Sequence, residues 1–131
     1  VGQVGGSNKI LDTGSGSDPA DTDGAKFVFD AMVRVSAFDF TDTDEVAHVI
    51  IDGSDDAAFS GAKIDELCKI TVGDATAKTG GATEDDGVGT YVLSGTNVRN
   101  ETVYRYMRAN IIVAGTSPSI TLTVNLHKRG D

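Results

Sequence analysis

At 131 residues and 13.6 kDa, the chain has room for one hydrophobic core, because a second would be too small to hold itself together. Hydrophobic residues make up only 39%, sixteen positions are glycine and tryptophan is absent, a composition that suits short strands joined by tight turns and disfavours an all-α bundle. Twenty acids against eleven bases leave a formal charge of −9, which excludes a general electrostatic attraction to nucleic-acid phosphates or to anionic lipid.

The charge is uneven. Residues 1–98 hold eighteen acids and six bases, net −12, while residues 99–131 hold two acids and five bases, net +3. Opposite signs are thus available for different partners, and an acidic solvated surface beside a few local arginines accounts for the same numbers. Cys68 stands alone, which fits a packing role in a protein made in a reducing cytosol. No apolar run approaches the roughly 20 residues that span a bilayer, and Val1 to Asp12 lacks a signal-peptide layout, so the expectation is a soluble protein that does not leave by a classical export route.

Val1 to Gly24 is rich in Gly, Ser, Thr and Asp and buries almost nothing by itself, so residues 1–24 are expected to form a flexible or extended N-terminal arm or long loop. Ile10 and Leu11 supply just enough apolar character for one short edge strand. The domain proper is expected over residues 25–131. From Lys26 to Phe40, Phe27, Phe29, Ala31, Val33, Val35 and Ala37 fall on one side of an extended chain and Asp30, Arg34 and Ser36 on the other, with a bend expected near Ala37. Val46 to Ile51 is a second β-branched run, followed by Asp52 to Asp56 with turn chemistry. Ala57 to Glu66 reads as loop or one turn of helix capped by Ser54. Leu67 to Val72 resumes alternation with Cys68, Ile70 and Val72 inward, Gly80 to Gly87 is a surface loop, and Tyr91 to Leu93 is another strand.

Thr102 to Val113 and Ser119 to Leu126 read as two strands of a hairpin across the turn Ala114 to Pro118. Ile120, Leu122, Val124 and Leu126 alternate with Thr121, Thr123 and Asn125, one face toward a core. Six to eight such strands without a long helix predict an all-β fold, an antiparallel two-sheet sandwich.

Chemistry-bearing residues are sparse. Only His48 and His127 are available to a nucleophilic triad, and neither accompanies a nucleophile elbow. Cys68, His48 and His127 have no paired metal-ligand spacing. Asp18, Asp21, Asp23 and the Asp42 to Glu45 cluster offer hard oxygen ligands to calcium, but the full calcium-loop pattern is missing, and solvated acidic loops are the favoured reading. Twenty acids offer many carboxylate pairs for glycoside hydrolysis, yet the lack of tryptophan removes the usual sugar-stacking platform. No phosphate-binding loop is present. The expectation is a protein without catalytic residues, cofactor, metal or small-molecule substrate.

Tyr104-Arg-Tyr-Met-Arg108 is the most distinctive run. In a strand Tyr104, Tyr106 and Arg108 share one face and Arg105 and Met107 the other, an aromatic and guanidinium surface of the kind enriched at protein interfaces, or the tyrosines close the end of the sandwich while the arginines pair with carboxylates.

Together with Ile111 to Ser119 and the alternating Ile120 to Val124, that run resembles the C-terminal hairpin of the jelly-roll cement proteins that decorate the heads of tailed bacteriophages. Val49-Ile-Ile-Asp-Gly-Ser-Asp-Asp-Ala-Ala-Phe59 is similar to a strand and turn that those proteins carry before their central strands. The resemblance runs from Lys26 to the end and departs at residues 1–24 and around Ala77 to Gly87. It implies a jelly-roll-like sandwich and a homotrimer. It also implies a seat on the capsid exterior, where the protein clamps neighbouring major capsid protein subunits after the shell expands, with manufacture in the bacterial host cytoplasm. On that basis the N-terminal arm, the loop with Asp42, Asp44 and Glu45, the loop Ala77 to Gly87, and Tyr104, Tyr106 and Arg108 are expected at interfaces. The competing readings are a carbohydrate-binding or adhesin-type sandwich, or a tail or head-fibre subunit.

Overall fold

The computed structural model describes residues 10–13, 26, 28–60, 63–78 and 83–129, and among these the backbone forms nine strands and no helix. In chain order they are β1 (Leu11–Asp12), β2 (Val28–Phe38), β3 (Val46–Ser54), β4 (Ile64–Gly73), β5 (Gly89–Thr96), β6 (Val98–Arg99), β7 (Thr102–Val103), β8 (Tyr106–Ala114) and β9 (Ile120–Arg129). A four-stranded sheet runs β1-β8-β3-β4, a three-stranded sheet runs β5-β2-β9, and β6-β7 is a small ribbon; every pairing is antiparallel. This is the all-β, antiparallel two-sheet sandwich that the alternation predicts.

Period-two patterning does the folding. Phe29, Ala31, Val33 and Val35 on β2, with Leu122 and Val124 beside them on β9, face Val49 and Ile51 of β3 and Met107 and Ala109 of β8 in one buried core. The bend expected near Ala37 is a bulge: the β2 to β9 register shifts between Val35 and Ala37, leaving Ala37 exposed and returning Phe38 to the core. Phe27 lies outside the described residues. The short edge strand expected around Leu11 is β1, on the edge of β8.

Three expectations need correction. Asp52 to Ser54 is not turn but the end of β3, where a bulge at Leu67 of β4 leaves Asp52 paired with Glu66. The turn comes next: Ser54 Oγ accepts from the Asp56 amide at 3.1 Å, and the Asp56 carboxylate accepts from the amides of Ala58 and Ser60 at 2.9 Å each. Thr102 to Val113 is not one strand, since β7 and β8 are separated at Tyr104 and Arg105. Finally, β8 and β9 do not pair as a hairpin; β8 lies beside β3 and β9 beside β2, so the turn at 115–119 crosses from one sheet to the other.

The true tight hairpin is β6-β7, whose two loop residues Asn100 and Glu101 have φ of 49° and 67°. That is the type I′ geometry, in which glycine is preferred at the second position. A non-glycine residue there carries about 1–2 kcal/mol of strain, partly offset by the greater unfolded-state entropy of glycine. Glu101→Gly is therefore expected to stabilise the fold by about 0.5–1 kcal/mol, measured as a rise in denaturation midpoint.

Candidate functional site

The strand directions gather the loops at 39–45, 74–88 and 115–119 at one end of the sandwich, and those at 55–63 and 97–105 at the other. The first end is strongly acidic. Residues 39–45, 74–86 and 115–119 contain eight acids (Asp39, Asp42, Asp44, Glu45, Asp74, Glu84, Asp85, Asp86) and one base, Lys78, so net −7 of the chain's −9 sits there. The loops at the opposite end hold three acids and three bases.

Glu45 organises this end. Its side chain is 0% exposed, and its two oxygens accept from the backbone amides of Asp42 at 3.0 Å and Asp44 at 3.2 Å, folding residues 42–45 around a buried carboxylate. Its carbonyl accepts from the Asp74 amide at 2.8 Å, which ties the β2-β3 loop to the end of β4. Asp44 reaches the other way, accepting from Thr116 through both its amide and its hydroxyl at 2.9 Å. Thr76 Oγ1 donates to the Thr43 carbonyl at 3.1 Å. Two glycines make these close approaches possible: Gly73 (φ 139°) and Gly115 (φ 112°) lie where a Cβ would stand 2.4 Å from the Glu45 carbonyl oxygen and 2.6 Å from that of Asp44.

The loop after β4 is braced internally. Gly73 and Asp86 exchange backbone bonds at 2.8 and 3.0 Å, Ala75 donates to Asp85 at 2.7 Å, and the largely covered Lys78 ammonium lies 2.6 Å from Asp86. Most carboxylates at this end thus terminate turns as well as carrying charge. Asp42 and Glu84 side chains, both exposed, make no such bond among the described residues and are the charges most open to a partner.

The structure separates the six residues expected at interfaces. Asp42 and Asp44 are exposed on the acidic end, but Glu45 is wholly buried beneath them and presents no side chain to a partner. Tyr104 is also corrected. It is 0% exposed, its amide donates to the Asn97 carbonyl at 2.9 Å, and its hydroxyl donates to Asp65. The chain breaks at Tyr104 and Arg105, so the ring lies against Gly53 on the core side, whereas Tyr106 and Arg108 point outward from β8. Arg108 stacks on Phe59 with its guanidinium carbon 4.4 Å from the ring centre and lies 3.5 Å from Asp52; Arg105 covers Tyr106 and pairs with Asp12 at 2.8 Å. The arginines of the run therefore meet carboxylates and rings within the chain. Sequence patterning missed the Glu45 brace; an acid immediately before a β-branched strand, with loop amides one and three residues earlier, was the available signal.

His48 is held by Thr71 at 2.8 Å on the outer face of the four-stranded sheet, His127 is exposed on the outer face of the other sheet, and Cys68 is half-buried on β4. They are not brought together. Burial, with Glu66 adding, pushes the Cys68 thiol up to about 11, which suits packing rather than reactivity. Among the described residues no group of three His, Cys, Asp or Glu side chains has metal-site geometry; Asp18, Asp21 and Asp23 lie outside them.

Several carboxylates sit below the ordinary value of 3.8: Asp30 at about 2 through Arg129 and then Ser94, Asp39 through Thr41, Asp44 through Thr116, Asp56 through the Ala58 and Ser60 amides, and Asp65 through Tyr104. Each contributes stability that is present above 3.8 and lost as pH falls through its folded value. Asp52 has the opposite sign, since burial raises it against the pull of Arg108, and its contribution fades as pH rises through that raised value. The melting temperature is expected to fall steeply between about pH 4 and pH 2, as thermal melts across that range would show.

No family model matches this chain, and no curated protein or solved structure matches it either.

Proposed function

We propose that this chain is a non-enzymatic decoration protein of an icosahedral phage head, seated on the capsid exterior and clamping neighbouring major capsid protein subunits. The observation that carries the proposal is the loop end: the segments 41–45 and 77–87, the loops expected to meet a shell, converge on one end of a two-sheet sandwich. There they are braced by Glu45, Asp44 and Asp86, and that end as a whole carries net −7. A lattice-binding protein needs a rigid frame with an ordered contact end, and many modest contacts repeated over a shell add up by avidity. The chemistry that fits this end is a basic surface on the capsid subunit. Assembly as a homotrimer belongs to the same proposal. The resemblance also implies jelly-roll wiring, whereas the loop end requires only a two-sheet sandwich.

Mixing the purified protein with expanded, undecorated phage shells and sedimenting them tests this directly. Co-sedimentation in a fixed ratio to the capsid subunit is expected. The double variant Asp42→Lys with Glu84→Lys should lower shell occupancy at least about tenfold, because like charges across a contact cost more than the 1.4 kcal/mol that a tenfold loss requires. Its melting temperature should stay near that of the parent, since neither side chain braces a turn. Shells that sediment free of the protein would overturn the proposal and favour the glycan-binding alternative.

A further inference from the structure

The two long sides of the sandwich differ. On one, β4 and β5 lie together and Gly73 bonds to Asp86. On the other, β3 pairs with β8 from Tyr106 to Ala114, whereas β1 covers only Tyr106 and Met107 on the opposite edge of β8. Among the described residues, the edge from Arg108 to Ala114 has no neighbouring strand. Beyond Arg108 it carries no charge and no proline, and its pairing with β3 has no bulge. Ile112 and Val113 are 47% and 42% exposed. Isolated edges are normally protected by charge, proline or bulges, and from Ala109 to Ala114 this one has none of them.

We propose that the edge is completed by the same edge of a second copy, as an antiparallel β8 pair about a twofold axis at Ile111. The edge is self-complementary in that register: Ile111 meets itself, Asn110 meets Ile112, Ala109 meets Val113, and Arg108 meets Ala114, so no like charges face each other. Its length is bounded identically in both copies, because β1 occupies the edge up to Met107 and Gly115 (φ 112°) turns the chain away after Ala114. The chain's own N-terminal residues are a poorer match. Residues 1–9 hold three glycines and Lys9 and only two apolar side chains, Val1 and Val4. The pairing joins the two four-stranded sheets into one continuous sheet and covers the half-buried Ile111. It does not depend on the decoration role.

Light scattering on the full chain across a concentration series tests it. The expected mass is twice the 13.6 kDa of one chain, or six times where threefold association forms as well. Ile112→Lys sets a charge beside the axis and is expected to halve that mass. Val92→Lys, the same gain of charge at a site 62% exposed on the outer face of the other sheet, should leave it unchanged. Ile111→Cys should form an interchain disulfide under oxidising conditions, because directly opposed strand positions fall within disulfide reach. Circular dichroism confirms that each variant is folded. A plain monomer, a plain trimer, or Ile112→Lys without loss of mass overturns the pairing. A monomer that dimerises only after removal of residues 1–9 also overturns it, by assigning the edge to the chain's own N-terminal segment. Shell sedimentation is a separate readout, so failure here is distinguishable from failure of the decoration role.

Discussion

Gly53→Ala is expected to cost about 3 kcal/mol of stability, at the upper end of the range for overpacking by a single methyl group. The new Cβ would stand 2.9 to 3.0 Å from three atoms of Tyr104, including its Cβ and the root of its ring. Tyr104 cannot yield easily. It is fully buried, its amide donates to the Asn97 carbonyl, its carbonyl accepts from the Asn97 side-chain amide, and its hydroxyl donates to Asp65 across on β4. For a domain of this size the loss corresponds to a fall in melting temperature of about 10 °C. Tyr104→Ala should cost about 3–5 kcal/mol by leaving a cavity. Combined with Gly53→Ala, it should cost less than the sum, because the two residues fill one space. A Gly53→Ala protein that melts with the parent would show that the ring can move away from β3.

Glu45→Ala is expected to cost about 2–3 kcal/mol, because it removes the acceptor from two loop amides and empties a fully buried position. Glu45→Gln keeps one acceptor oxygen and should cost about 1 kcal/mol. Hydrogen exchange gives the local readout: the amides of Asp42 and Asp44 should exchange faster in Glu45→Ala, and Thr116 should follow, since its partner Asp44 is positioned by the same turn. Shell occupancy should fall with it, although no surface carboxylate is lost. Exchange at Asp42 and Asp44 equal to that of the parent would remove Glu45 from its bracing role.

These two residues show where sequence patterning stops. Alternation from Phe29 to Val35 and from Ile120 to Leu126 predicts strands with one buried face, and those faces are buried. The same alternation describes two strands side by side in a hairpin or facing each other across a core, because either arrangement hides one face. Hence β8 and β9, joined by a turn with Gly and Pro, lie in different sheets. Tyr104 illustrates the same limit at a single position. A regular strand would put it on the face of Tyr106 and Arg108, and the break before β8 puts it on the other. The break accompanies contacts to Gly53 on β3, Asn97 before β6 and Asp65 on β4, the farthest of them 51 residues away in the chain.

The candidate site divides in the same way. The acidity of residues 39–45 and 74–86 is plain in the sequence, as is their loop character. That the loops share one end, and that Glu45 is a buried brace while Asp42 stays exposed, follows only from how the strands are ordered. Local chemistry by itself determined the strand class, the buried faces and the charge, because those depend on residues one or two apart. Tertiary structure decided which faces meet, which carboxylates are used internally and which edge of β8 has no neighbouring strand among the described residues, because each depends on partners brought together from distant parts of the chain.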